Sequence, residues 1–158
     1  MKANYLFPNK FKRIGWLILI PSAIFGILML IFNYEPAFLD FKVPAIFVNE
    51  FFGDKYFLGM VRNNILNEII GVLTIISLLL VAFSKEKTED EYIYKIRLES
   101  LVWAVYVNYG ILLFCFLFIF GGSFLWVMVF NMFTVLLFFI LRFNWKIARL
   151  RKSSDYEK

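Results

Sequence analysis

Four apolar runs punctuated by polar stretches set the pattern of this chain: residues 14–32, 65–83, 101–120 and 124–141. Each is close to the roughly 20 residues that a helix needs to cross a hydrocarbon slab about 30 Å thick. The pattern predicts an all-α fold, an integral membrane four-helix bundle forming a single domain over residues 1–158. Between the second and third runs lies the one long polar segment bounded by apolar sequence on both sides, SKEKTEDEYIYKIRLESLVWA. Thr88 followed by Glu91 is a capping-box pattern, and Glu89, Asp90 and Glu91 put negative charge where helix amides favour it. A helix is therefore expected to start near Thr88 and to run without Gly or Pro as far as Gly110, so that the third span extends into the cytoplasm.

The remaining connections are read in the same way. In residues 33–63, rich in Phe, Pro44 suits a first helical position and Gly53 a C-terminal cap. A short interfacial helix is expected over residues 44–52, with Pro44, Phe47, Val48 and Phe51 on one face. Gly121, Gly122 and Ser123 predict a tight hairpin between the last two spans. The basic tail RFNWKIARLRKSSDYEK is expected to prolong the fourth helix until Ser153 and Ser154 release it. The first run is too long for the ~7–15-residue core of a signal peptide and is read as an anchor. Within it Pro21 is expected to kink the helix, and Ser22 with Gly26 forms a small-xxx-small pair suited to close helix approach.

Composition sharpens the membrane reading and removes chemistry. Apolar residues make up 61% of the 158 residues and aromatic ones 21%, well above the roughly 45–50% apolar share of soluble domains. The chain has no His and one Cys, Cys115, so the commonest general base and transition-metal ligand are missing and an intrachain disulfide is impossible. No catalytic residue, metal site or cofactor is assigned. The net charge of +5 is carried by residues flanking apolar runs, which points to anionic lipids at the cytoplasmic face rather than to nucleic acid. Of the 17 Lys and Arg, 14 fall on the side of the termini and of residues 84–100. The positive-inside rule then puts both termini in the cytoplasm of a bacterial inner membrane, and Trp16, Trp103 and Trp145 mark the same boundary.

Polar residues inside the spans nominate candidate sites. Thr74 and Asn131 lie roughly 15–17 Å, and Asn108 and Thr134 roughly 11–12 Å, from the inner ends of their spans, and are expected to share an intramembrane polar layer. Glu68, the one carboxylate inside a predicted span, is the candidate ion or proton site, against a solvated structural role near the outer end. Glu89, Asp90, Ile93, Ile96 and Arg97 on the cytoplasmic helix form the candidate partner surface; the alternative is that the isoleucines fold back on neighbouring helices or lipid.

SKEKTEDEYIYKIRLESLVWA, together with LFPNKFKRIGW near the start, resembles small four-span membrane proteins of Bacteroidetes, a group that brings no activity or site residues with it. Two functions follow as expectations. One is a non-enzymatic inner-membrane accessory, scaffold or sensory protein acting through its cytoplasmic helix on a membrane-protein partner or a second copy. The other is a small oligomeric channel or transport subunit whose Asn, Thr and Gly stripes line a path between protomers. An enzyme acting on lipid headgroups would need its carboxylates among Glu86, Glu89, Asp90, Glu91 and Glu99, which fit capping and surface pairing better.

Overall fold

A computed structural model describes residues 5–32, 34, 36–49 and 55–156, except for the side chains at 47–49, 55–57 and 153–156. Four helices hold most of it: α1 (Asn9–Phe32), α2 (Leu66–Ala82), α3 (Glu91–Phe118) and α4 (Gly122–Tyr156). Three of them, α1, α3 and α4, are long and apolar enough to cross a membrane, with mean hydropathies of 2.5, 2.1 and 2.5 over their most apolar windows. Only 22%, 11% and 11% of those windows is buried inside the protein. Side chains such as Phe114, Phe116, Leu117 and Phe118 stand more than 60% exposed, an apolar surface far beyond what water tolerates and suited to lipid. α2 has 17 residues.

The chain divides into two compact units, residues 19–74 and residues 1–18 with 75–158. In the first unit the connection after α1 departs from expectation. A single 3-10 turn (Ala37–Leu39) leads into an antiparallel hairpin of β1 (Asp40–Asn49) and β2 (Lys55–Asn64). The interfacial helix expected over 44–52 is therefore replaced by a strand as far as Asn49, and residues 50–54, with Phe51, Phe52 and Gly53, lie outside the described residues. Val43, Ile46, Phe47, Val48, Tyr56, Phe57 and Val61 are β-branched or aromatic and so suit a strand, and pairing decides, because the ladder satisfies backbone groups that a loop would leave to solvent. Pro44, opposite Met60, is tolerated because each strand of a two-stranded sheet keeps a free edge. Val43, Ala45, Gly59 and Val61 are half-buried while Pro44, Ile46, Leu58 and Met60 are exposed, so the hairpin presents one apolar face outward.

Asn64 anchors this hairpin to the start of α2. It is 7% exposed; its Nδ2 donates to the Pro36 carbonyl and to Asp40 Oδ1, both at 2.8 Å, and its Oδ1 accepts from the Leu66 amide at 3.3 Å. Here an Asn serves a helix start in the way N-cap residues do. On α1, Ser22 donates to the Leu19 carbonyl, and a Cβ on Gly26 would sit 3.4 Å from Ile70 Cγ2, so the small-xxx-small pair serves packing within the chain.

The second unit holds the densest core: Leu78, Val81 and Ala82 of α2, Ile93, Ile96 and Ala104 of α3, and Phe139, Ile140, Phe143 and Ile147 of α4. α3 begins at Glu91 with Asp90 as its N-cap, Oδ1 accepting from the Ile93 amide at 2.8 Å, so the cap falls two residues after the Thr88 expected. α3 and α4 join through Gly121, whose φ of +70° only glycine adopts without strain, as the tight hairpin requires. α4 continues through Ser153 and Ser154 to Tyr156 instead of ending at the serines, since nothing in that pair is a strong helix breaker. A Cβ built on Gly15 would stand 2.8 Å from Val81 Cγ2 and 3.1 Å from the Val81 backbone nitrogen. Gly15→Ala is thus expected to cost about 1–3 kcal/mol by overpacking, whereas Gly26→Ala should be nearly neutral; unfolding in detergent would separate them.

Candidate functional site: a buried charge cluster at the polar end of the bundle

The connection from α2 to α3, residues 83–90, leaves its backbone without a helix or sheet of its own. The segment before α1 supplies the partners. Phe7 donates its amide to the Phe83 carbonyl at 2.9 Å and accepts from the Lys85 amide at 2.8 Å, and Asn9 Nδ2 donates to the Lys85 carbonyl at 2.6 Å. This one-bridge parallel ladder at Phe7 and Ser84 fixes the residues just before α1 against the connection.

Two carboxylates of the connection then gather three cations. Glu86, with its side chain 5% exposed, pairs with Lys12 of α1 and with Arg151 of α4, the latter at 3.3 Å. Lys12 also donates to Asn144 Oδ1 at 3.0 Å, and Asn144 Nδ2 donates to the Ile140 carbonyl at 2.9 Å. Glu89 accepts from Arg97 through both oxygens, at 3.0 and 3.1 Å, and from the Glu86 amide at 2.8 Å. The other terminal nitrogen of Arg97 donates to the carbonyls of Ala82 and Ser84, both at 3.2 Å. These are carbonyls at the end of α2, where orphan acceptors and the negative end of the helix dipole favour a cation. Arg97 lies 4.7 Å from the centre of the Phe143 ring and Lys12 5.7 Å from it, and Phe143 stacks on Phe139, which stacks on Phe83. The cluster is therefore floored by aromatic rings whose faces attract cations.

This arrangement corrects the expected partner surface. Ile93, Ile96 and Arg97 are each 6% exposed, so they are inward residues and present no face to a partner. The isoleucines fold onto the core because apolar area is better buried there than left at a helix surface. Glu89 and Asp90 remain exposed at residue level but are engaged in the chain, one by Arg97 and one as the cap of α3. Glu86, weighed only as an enzyme carboxylate, is the residue on which the cluster converges, and sequence reasoning assigned no site role to Lys12, Asn144 or Arg151. The available signal was the run of carboxylates in an otherwise basic side of the chain. Through these pairs the cluster ties α1, the connection, α3 and α4 together.

Of the expected polar layer, three members meet. Asn108, 2% exposed, accepts through Oδ1 from Asn131 Nδ2 at 3.2 Å and from Thr134 Oγ1 at 2.5 Å. Thr74, the fourth, belongs to the other compact unit, half-buried on α2. Glu68 does not stand as a buried charge: it is exposed in the first turn of α2 and accepts from Asn63 Nδ2 at 2.6 Å. A carboxylate at a helix N-terminus is favoured by the helix dipole. Among the described residues no His, Cys, Asp and Glu side chains gather as a metal-binding group.

Towards the same end of the bundle α3 and α4 are laced in antiparallel register. Arg142 sits 4.4 Å over the Trp103 ring and Lys146 pairs with Glu99 at 2.8 Å. The hydrogen bond and charge of Lys146 hold the exposed Glu99 carboxyl below the usual carboxylate range. The contact is thus present at neutral pH and is lost as pH falls through that lowered value. Comparison with models of protein families, with curated proteins and with solved structures found no match to this chain.

Proposed function

We propose that this chain is a four-span protein of the bacterial inner membrane with both termini in the cytoplasm, acting as a non-enzymatic scaffold, accessory or sensory subunit through the cytoplasmic ends of α3 and α4. The observation that carries this reading is the polar trio. A channel or transport subunit needs its polar stripe to face water, whereas Asn108 is 2% exposed and spends its oxygen on Asn131 and Thr134 of the same chain. The fourth span is α2: at ~1.5 Å per residue its helix covers about 26 Å, within the range that bilayers accommodate by local thinning. With Ile93 and Ile96 turned inward, the surface offered to a partner is the outward stripe of Tyr94, Leu98 and Val102, exposed by 41%, 53% and 45%.

The test is water access to the trio. In a Cys115→Ser background, Asn108→Cys is expected to resist membrane-impermeant thiol reagents from both sides while Leu58→Cys, 81% exposed in the hairpin, reacts from the outside. Rapid labelling at position 108 would favour the channel reading, and labelling at position 58 from the cytoplasmic side alone would reverse the orientation.

A further inference from the structure

A groove of about 480 Å³ opens between the polar ends of α3 and α4, and its walls carry more positive charge than the chain itself neutralises. Lys95 stands on one wall and Lys146 and Arg149 on the other. Lys146 is paired with Glu99, but among the described residues Lys95 and Arg149 have no ion-pair partner. Tyr92, 57% exposed, and Trp145, 64% exposed, flank the groove, and buried Ile96 also lines it. We propose that this groove is a binding site for an anionic glycerophospholipid, with the phosphate between Lys95 and Arg149 and the glycerol and upper acyl carbons against Trp145 and Tyr92.

Three physical arguments support the assignment. First, depth: the groove starts where the apolar runs stop, at Leu101 on α3 and Leu141 on α4. At ~1.5 Å per residue Lys95 lies about 9 Å and Arg149 about 12 Å beyond those points. Long basic side chains reach back across such distances, and the headgroup layer is itself about 5–8 Å thick on each face. Second, charge: three cations, Lys95, Lys146 and Arg149, line the opening against the single carboxylate Glu99, which Lys146 pairs and Lys95 also acts on. Such an excess concentrates an anion there, a basic pocket between helices being a setting in which lipid headgroups bind. Third, amphipathic rings: Trp and Tyr sit at the headgroup level, where one part of the ring is apolar and the other wet. The site rests on the membrane reading given above, though not on the scaffold role, since a lipid seated here suits either.

The test uses the full chain reconstituted in nanodiscs of phosphatidylcholine with one part in ten phosphatidylglycerol, followed by native mass spectrometry of retained lipid. The expected result is preferential retention of phosphatidylglycerol by the natural chain. Retention should fall about tenfold in Lys95→Gln/Arg149→Gln, whose unfolding should be little changed because neither cation forms an ion pair among the described residues. Lys10→Gln/Arg13→Gln removes the same charge from exposed positions of α1 outside the groove, and should retain lipid normally. Equal losses in the two double variants would reduce the effect to diffuse attraction, and no loss in the first would remove the site. Displacement of the lipid by millimolar inorganic phosphate would overturn the proposal in favour of a free-anion site. Failure of the natural chain to reconstitute at all would instead overturn the membrane reading.

Discussion

Glu86→Ala is expected to lower stability by about 3 kcal/mol, near the lower end of the range for removing one partner of a buried ion pair. The cost arises from what is left behind. Lys12, with its side chain 15% exposed, would keep its charge over the Phe143 ring with only Asn144 as a polar partner, while Arg151, 63% exposed, turns to water at little cost. That second partner and the position at the end of the bundle keep the value from the top of the range. Glu86→Gln should cost less, because an amide oxygen still accepts from Lys12. Both values are accessible by chemical unfolding in micelles, and an Ala variant as stable as the natural chain would mean that the cluster does not fasten the bundle.

Arg97→Lys is the second large effect, about 2–3 kcal/mol in spite of conserving charge. The guanidinium divides its work: one terminal nitrogen meets both oxygens of Glu89 and the other the carbonyls of Ala82 and Ser84, with its central carbon 4.7 Å from the centre of the Phe143 ring. An ammonium is a point donor that reaches one of these sets, leaving the rest short of partners. Each buried acceptor left unmet costs roughly 1–3 kcal/mol, discounted for Glu89, whose side chain is 23% exposed. Arg97→Met would test the same site in another way. It keeps the stem's contact with the ring and gives up every hydrogen bond, so it should be at least as destabilising as Arg97→Lys if the bonds dominate.

How far the chain announces this structure depends on the range of the interaction. Helices α1, α3 and α4 were legible because their apolar runs are long, and the turn at Gly121 because glycine at a positive φ has a local cause. The hairpin over 40–64 was not, since short apolar stretches with Pro44 and Gly53 at their edges suit a helix or a strand equally well and only pairing decides. The cap of α3 falls at Asp90 rather than at Thr88, since Asp90 Oδ1 takes the Ile93 amide, and the neighbouring Glu89 is held by Arg97, a tertiary contact that no local capping pattern announces. Lys12 and Glu86 are 74 residues apart, and no spacing rule connects them. By contrast, Asn108, Asn131 and Thr134 could be matched in advance, because a hairpin of two helices with a fixed rise per residue converts residue number into depth.

The central claim is that the first turn of α1, the α2–α3 connection and α4 are fastened together through Glu86. A double-mutant cycle of Lys12→Met and Glu86→Gln, read by unfolding in micelles, addresses it most directly. Coupling of about 1–3 kcal/mol is predicted, with the double variant more stable than the sum of the two single losses implies, since each single change leaves the remaining member of the pair without its opposite charge at that contact. Losses that add to within about 0.5 kcal/mol would contradict the account, because residues in contact through a shared buried charge cannot behave as independent sites.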